Sequence, residues 1–210
     1  MPTKRPSPRN ATPRPFRKDP ATVGILDSAY KLQKAGSLQQ AELLYQKVLV
    51  AEPGNPFAIY ALGTIALSRG DAGTAVPLLR QAWATGYTHE TVSTHLGIAL
   101  QSLGRLDEAL EIYETASKLD PKNPRFHSNS AVALAQKGDH EGALQRIQVA
   151  MKLSPKFAPA YLNAGTFLEA LGRPAEAVDM FERSLRLEPD NAEAQEALRL
   201  VKQKLAVETR

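Results

Sequence analysis

Apolar residues recur along most of this chain at steps of three and four, the spacing that places side chains on one face of an α-helix. One such stripe comprises Val92, Leu96, Ala99, Leu100 and Leu103. Gly104 follows it, and glycine readily ends a helix in the left-handed region. A second stripe comprises Leu110, Ile112, Tyr113, Ala116 and Leu119. Pro121 disfavours helical geometry at Asp120, so the pattern predicts two helices joined by a short turn.

This two-helix pattern repeats every 34 residues. The period is carried by glycines at Gly36, Gly70, Gly104, Gly138 and Gly172 and by alanines at Ala41, Ala75, Ala109, Ala143 and Ala177. A fixed period of this length is typical of stacked repeats. It predicts five units, at 22–55, 56–89, 90–123, 124–157 and 158–191, followed by a helix at 192–210. One apolar face on that last segment indicates a capping helix for the end of the stack.

The repeated positions resemble the tetratricopeptide repeat family. Its motif has Leu-Gly at positions seven and eight, Gly at fifteen, Ala at twenty, an aromatic residue at twenty-four, Ala at twenty-seven and Pro at thirty-two. The third unit matches throughout, with Leu96, Gly97, Gly104, Ala109, Tyr113, Ala116 and Pro121. The resemblance implies an all-α fold, a right-handed α-solenoid of five helix-turn-helix units. It says little about the partner.

Charge separates residues 1–21 from the repeats. The chain carries a formal +4, but this segment alone carries +5 and the rest −1. It also holds six prolines, which oppose a regular helix, so we expect a basic tail that is disordered or becomes ordered on a partner. Its candidate binding residues are Lys4, Arg5, Arg9, Arg14, Phe16, Arg17 and Lys18. An acidic protein surface is one possible partner. Nucleic acid is disfavoured, because Phe16 is the only aromatic residue there that could stack on a base.

Candidate chemistry is sparse. The chain has no Cys, its four histidines form no metal-ligand spacing, and its glycines form no phosphate-binding loop. We therefore expect no catalytic residue, no metal and no cofactor. No apolar run is long enough to span a membrane, and we expect a cytoplasmic protein.

Binding is the better prospect, because the first helices of such units line the concave wall of a solenoid. Positions two, five, six, nine, twelve and thirteen share a face there. The candidate groove residues are Leu26, Asp27, Tyr30, Phe57, Tyr60, Thr64, Thr94, His95, Ile98, Arg125, Asn129, Val132, Leu162, Asn163 and Thr166. In the family, asparagines at position six hold an extended polypeptide, and here Asn129 and Asn163 stand at that position.

Three hypotheses follow. The leading one is a non-enzymatic scaffold that binds a protein or an extended peptide, through the groove or the tail, within a larger assembly. A second is a substrate-recognition array that serves a separate glycosyl- or sulfotransferase, because the segment from Ala35 to Tyr45 resembles repeats found ahead of such domains. Nucleic-acid association through the tail ranks third. Self-association is possible, but no feature of the sequence indicates it.

One family-specific alternative is excluded. Repeats that clamp the C-terminal carboxylate of heat-shock chaperones need Lys at position five and further cations in the following units. Position five here holds Leu26, Tyr60, Thr94, Ser128 and Leu162. Without those cations a bound carboxylate would be left unpaired.

Overall fold

A computed structural model describes residues 20–87 and 89–208, and within these ranges every regular element is an α-helix. Eleven helices occur in this part of the chain. They are α1 (Pro20–Lys34), α2 (Leu38–Ala51), α3 (Pro56–Ser68), α4 (Ala72–Ala84), α5 (His89–Ser102), α6 (Leu106–Leu119), α7 (Pro124–Gln136), α8 (His140–Leu153), α9 (Ala158–Ala170), α10 (Pro174–Leu187) and α11 (Ala192–Glu208). The first ten form five consecutive pairs, as the period predicted.

The repeated glycines end the first helix of each pair. All five adopt positive φ angles, between 70° and 86°, which is the left-handed region where a side chain would be strained. At Gly104 the next amide, that of Arg105, donates to the Leu100 carbonyl at 2.9 Å, while the Gly104 amide donates to Gln101 at 2.9 Å. These bonds satisfy carbonyls that would otherwise lack partners at the end of the helix.

Asparagines precede three of the helices and cap their first turns. Asn55 Oδ1 accepts from the Ala58 amide at 3.0 Å, and Asn191 Oδ1 accepts from the Ala194 amide at 2.9 Å. Asn123 Oδ1 accepts from the Arg125 amide at 3.1 Å. These residues stand at the last position of their repeat units, and asparagine is among the residues that favour N-caps.

The described residues divide into two compact units, and the boundary between them falls between residues 58 and 59. In the first unit, α1 packs against α2. Ala29, Ala41, Tyr45 and Val48 are fully buried there.

The second unit stacks its helices in chain order. Each helix from α4 to α11 contacts the next one, and α5 also contacts α7, α7 contacts α9, and α9 contacts α11. The first helices of successive repeats therefore form one layer, with the second helices packed outside them. This arrangement is a tetratricopeptide-like solenoid of helix pairs.

The repeated alanines lie where the paired helices approach. Ala75, Ala109, Ala143 and Ala177 in the second unit, and Ala41 in the first, are all fully buried. Position eight faces position twenty-four in the third and fifth pairs: a Cβ at Gly97 would lie 2.2 Å from Tyr113 Cζ, and one at Gly165 would lie 2.5 Å from Phe181 Cε1. Close helix packing therefore depends on small residues at these positions.

The end of the second unit is covered by α11. Ala194 and Val201 are fully buried in a core cluster that includes Phe181 from α10, while Val207 on the same helix is 71% exposed. The predicted apolar face of this segment thus packs on the last repeat.

Candidate functional site

The candidate site is the layer of first helices in the second unit, formed by α3, α5, α7 and α9. Positions five, six and nine recur at three- and four-residue steps, so they occupy one side of each helix. We call this side of the four helices the inner wall. The sequence-predicted candidates on this wall are Tyr60, Thr64, Thr94, His95, Ile98, Asn129, Val132, Leu162, Asn163 and Thr166, and Arg125 adjoins them at position two of its repeat.

Hydrogen bonds join position five of one repeat to position six of the next. Asn163 Nδ2 donates to Ser128 Oγ at 3.2 Å. The Tyr60 hydroxyl lies 3.2 Å from His95 Nδ1, and both pairs are 35 residues apart in sequence. One amide hydrogen of Asn163 is therefore used between repeats, which leaves its other hydrogen and Oδ1 for a ligand.

Asn129 occupies the same position as Asn163 but lacks the matching bond. Its position-five neighbour in the preceding repeat, Thr94, instead donates its hydroxyl to the Glu90 carbonyl of its own helix at 2.9 Å. Asn129 Nδ2 is buried without a hydrogen-bond partner. An unsatisfied buried donor costs about 1–3 kcal/mol, and a rotation of the amide toward a ligand would relieve that cost.

The ring of His95 is fixed by two neighbours. Its Nδ1 lies 2.8 Å from the Thr91 carbonyl, which can only accept, so Nδ1 carries a hydrogen. The Nδ1 hydrogen is therefore shared between the Thr91 carbonyl and the Tyr60 oxygen. The hydroxyl hydrogen of Tyr60 is available to another acceptor. Tyr60 also packs edge-on against His95, with ring centroids 5.6 Å apart, and burial raises the pKa of Tyr60 to about 12. Its hydroxyl thus remains a neutral donor at physiological pH.

A cleft of about 280 Å³ opens between α5 and α7. We call it the α5–α7 cleft, and its lining residues are Ile98, Gln101, Ser102, Asn129, Val132 and Gln136. Gln101, Ser102 and Gln136 were absent from the sequence-based candidates. They stand at positions twelve and thirteen, which the helical stripe already placed on the inner side, so the spacing alone could have identified them.

Two of the sequence-predicted groove residues, Leu162 and Arg125, contact other parts of the fold. Leu162 is only 7% exposed and packs in a core cluster, so little of its side chain is accessible to a ligand. Arg125 is exposed, lies 4.0 Å from a Glu90 carboxylate oxygen, and has its guanidinium 5.9 Å from the centroid of the Phe157 ring. Arg125 therefore marks the charged edge of a largely uncharged wall.

Two family models of this repeat match consecutive parts of the chain, the TPR repeat over residues 97–138 and the tetratricopeptide repeat over 134–201. A third, described as anaphase-promoting complex, cyclosome, subunit 3, matches residues 34–116. The chain is a tetratricopeptide repeat protein. No curated protein is significantly similar to it in sequence.

Solved tetratricopeptide structures share this fold. YrrB, described as a TPR protein with an unusual peptide-binding site, aligns over 84% of this chain and 91% of its own, with 22% identity and a TM-score of 0.64. MamA from Desulfovibrio magneticus RS-1 aligns over 83% of this chain and 98% of its own, with 18% identity and a TM-score of 0.71. The first TPR of Spaghetti (RPAP3), bound to the HSP90 peptide SRMEEVD, is 33% identical over 55% of this chain and 94% of its own, with a TM-score of 0.53.

The remaining groove candidates belong to the first unit of this tetratricopeptide protein. Asp27 is exposed and accepts from Lys31 Nζ at 2.7 Å, while Leu26 is half-buried. Tyr30 is 45% exposed, and its ring centroid lies 6.3 Å from that of Phe57. These side chains form a small aromatic and acidic surface on α1 and the start of α3.

The tail candidates, from Lys4 to Lys18, lie outside the described residues. Among residues 20–87 and 89–208, no group of three or more His, Asp and Glu side chains is arranged to hold a metal ion. None of the helices in these ranges is both long and apolar enough to cross a membrane.

Proposed function

We propose that this tetratricopeptide protein is a non-enzymatic scaffold whose inner wall binds an extended segment of a protein partner within a larger assembly. The observation that carries the proposal is the row of uncharged hydrogen-bonding side chains on α3, α5, α7 and α9. Tyr60, Asn129 and Asn163 each have hydrogen-bonding capacity beyond the contacts that they make within the fold.

Such a row suits a peptide backbone. An extended chain presents carbonyl acceptors and amide donors without charge, and asparagine can both donate and accept. Charged side chains are rare along the described wall, with Arg125 near one edge and Glu169 further along α9. The proposal therefore assigns recognition to backbone and neutral side chains of the partner.

The neighbours give the proposal support of a general kind. The description of YrrB names a peptide-binding site, and the Spaghetti repeat carries a bound peptide. This chain departs from a carboxylate-binding arrangement, because position five holds Tyr60 and Ser128 in contacts between repeats and a largely buried Leu162. A C-terminal carboxylate would therefore meet no cation at position five.

The basic tail is proposed as a second contact, for an acidic surface of the same partner. Its +5 charge contrasts with the nearly neutral repeats, so its contribution should weaken as salt screens it. Since α1 begins at Pro20, a deletion of residues 1–19 removes every charged residue of the tail and leaves α1 whole. Mass spectrometry of proteins co-purified with the full chain identifies the partner and distinguishes a structural assembly from a transferase.

The groove can be tested with a random dodecapeptide library displayed on phage and selected on the full chain. Asn163→Ala should weaken binding of a selected peptide by about three- to tenfold, the effect of one hydrogen bond. Ser128→Ala is the matched control, because it breaks the same contact between repeats but keeps the Asn163 amide on the wall. Equal affinities for Asn163→Ala and Ser128→Ala, or no selected peptide at all, would contradict the proposal.

A further inference from the structure

We infer that the α5–α7 cleft selects partners by accepting one uncharged aliphatic side chain of the extended segment. This inference rests on the proposed function and specifies the partner's chemistry at one place. The six lining residues of the cleft are uncharged. We call the two aliphatic ones, Ile98 and Val132, its floor and the four polar ones its rim.

The floor of the cleft is aliphatic. Ile98 is 41% exposed, and Val132 lies on the neighbouring helix at the same repeat position. An exposed isoleucine within a cleft gains from being covered by another apolar group. The volume of about 280 Å³ lies just below the range for small-molecule sites, which suits a single inserted side chain.

The rim is oriented by a chain of hydrogen bonds that begins in the core. The hydroxyl of the buried Tyr113 donates to Gln101 Oε1 at 2.7 Å, and Gln101 Nε2 donates to Gln136 Oε1 at 3.0 Å. Both ends of the Gln101 amide are thereby used, and the Gln136 Nε2 group is left as a donor at the cleft. Its position is set by the fold before any ligand arrives.

An acceptor lies on the same rim. Ser102 donates its hydroxyl hydrogen to the Ile98 carbonyl at 3.0 Å, which leaves the lone pairs of its oxygen to accept. A donor at Gln136 and an acceptor at Ser102 match the carbonyl and amide groups on either side of one residue of an extended peptide. The side chain of that residue is then directed at the aliphatic floor.

Charge decides which side chain fits. Within the described chain the lining residues are all neutral, and a charged group inserted there would lose water without gaining a counter-ion. Arg125 is one turn from Asn129 but is already near Glu90 and Phe157. Leucine, isoleucine, valine or methionine in the partner should therefore be selected over lysine, arginine, aspartate and glutamate.

The test is phage selection of the same dodecapeptide library on three full-length proteins: wild type, Ile98→Glu and Val149→Glu. Val149 is the matched control, a 37% exposed aliphatic residue on α8. Circular dichroism of the three proteins confirms that each is folded. We expect wild type and Val149→Glu to recover peptides with one shared aliphatic position. Ile98→Glu should bind those peptides about tenfold or more weakly and recover peptides with lysine or arginine at that position.

Two outcomes would overturn the inference in different ways. If selected peptides depend on Asn163 but carry no shared aliphatic position, or bind Ile98→Glu unchanged, the groove still binds peptide and only the assignment of the cleft fails. If no selected peptide depends on Asn163 or Ile98, both the cleft and the proposed function fail.

Discussion

The approach of Gly97 on α5 to Tyr113 on α6 gives the sharpest test of how the repeats pack. A Cβ at Gly97 would lie 2.2 Å from Tyr113 Cζ and 2.4 Å from its hydroxyl oxygen, whereas carbon atoms normally rest about 3.5–4.0 Å apart. The Tyr113 ring is fully buried, so it has no open space to move into. Gly97→Ala must therefore displace the ring or separate the helices by about 1 Å or more.

The expected cost follows from three effects. Overpacking costs about 1–3 kcal/mol, and disturbing the bond from Tyr113 to Gln101 costs about 1 kcal/mol more. Alanine offsets about 1 kcal/mol of this, because it favours a helix interior over glycine. We predict that Gly97→Ala lowers the free energy of unfolding by about 1–3 kcal/mol. Ala29 and Tyr45 occupy the same positions in the first repeat and are both buried, so the fold itself should survive.

The assay is urea unfolding followed by circular dichroism, with Gly73→Ala as the control. The nearest atom to a Cβ at Gly73 is Asp71 Oδ1 at 3.5 Å, an ordinary contact, so this variant should gain up to about 1 kcal/mol. Combining Gly97→Ala with Tyr113→Ile reproduces the Ala131 and Ile147 pair of the fourth repeat, both fully buried. The free energy of unfolding of the double variant should be about 1–2 kcal/mol higher than the sum of the two single effects predicts. Equal stabilities of Gly97→Ala and Gly73→Ala would refute this steric explanation. So would effects of Gly97→Ala and Tyr113→Ile on the free energy of unfolding that add without a coupling term.

Three further predictions concern the groove, acidity and the capping helix. A selected groove peptide should change its Kd less than about twofold between low and high salt, and the peptide SRMEEVD should not compete with it; a steep salt dependence would indicate charge recognition instead. Burial, with a contribution from Arg146, lowers the pKa of His127, so the unfolded state binds more protons as pH falls below about 6.5 and stability should decline there. His127→Gln should flatten this decline in urea titrations, and an equal decline in both proteins would exclude His127 as its source. Val201→Ala in α11 should cost about 2 kcal/mol, whereas Val207→Ala should stay within about 0.5 kcal/mol of wild type; equal effects would mean that α11 does not cap the core.

The sequence predicted the repeating helix pairs because their determinants are local. A glycine that must adopt positive φ, as Gly104 does, and an alanine held between helices, as Ala109 is, recur with a period that can be counted. Both features depend on neighbours within the same unit, so their consequences for the fold could be deduced without coordinates.

The details of the inner wall could not be deduced in the same way. Thr94 and Ser128 are hydroxyl residues at the same repeat position, yet Thr94 bonds its own helix and Ser128 accepts from Asn163. Which partner each hydroxyl takes depends on small differences in how successive repeats stack. The 34-residue period does not predict those differences. The burial of Leu162 has the same origin, because the stacking of neighbouring repeats decides how much of a position-five side chain stays exposed.

The most direct test of the central claim is nuclear magnetic resonance of the full chain, labelled with nitrogen-15, during titration with a phage-selected dodecapeptide. The side-chain amide signals of Asn129, Asn163 and Gln136 should shift together, along with backbone amides of α5, α7 and α9. Signals from the outer faces of α6, α8 and α10 should stay in place. Shifts confined to those second helices, with the three side-chain amides unchanged, would contradict a peptide-binding inner wall.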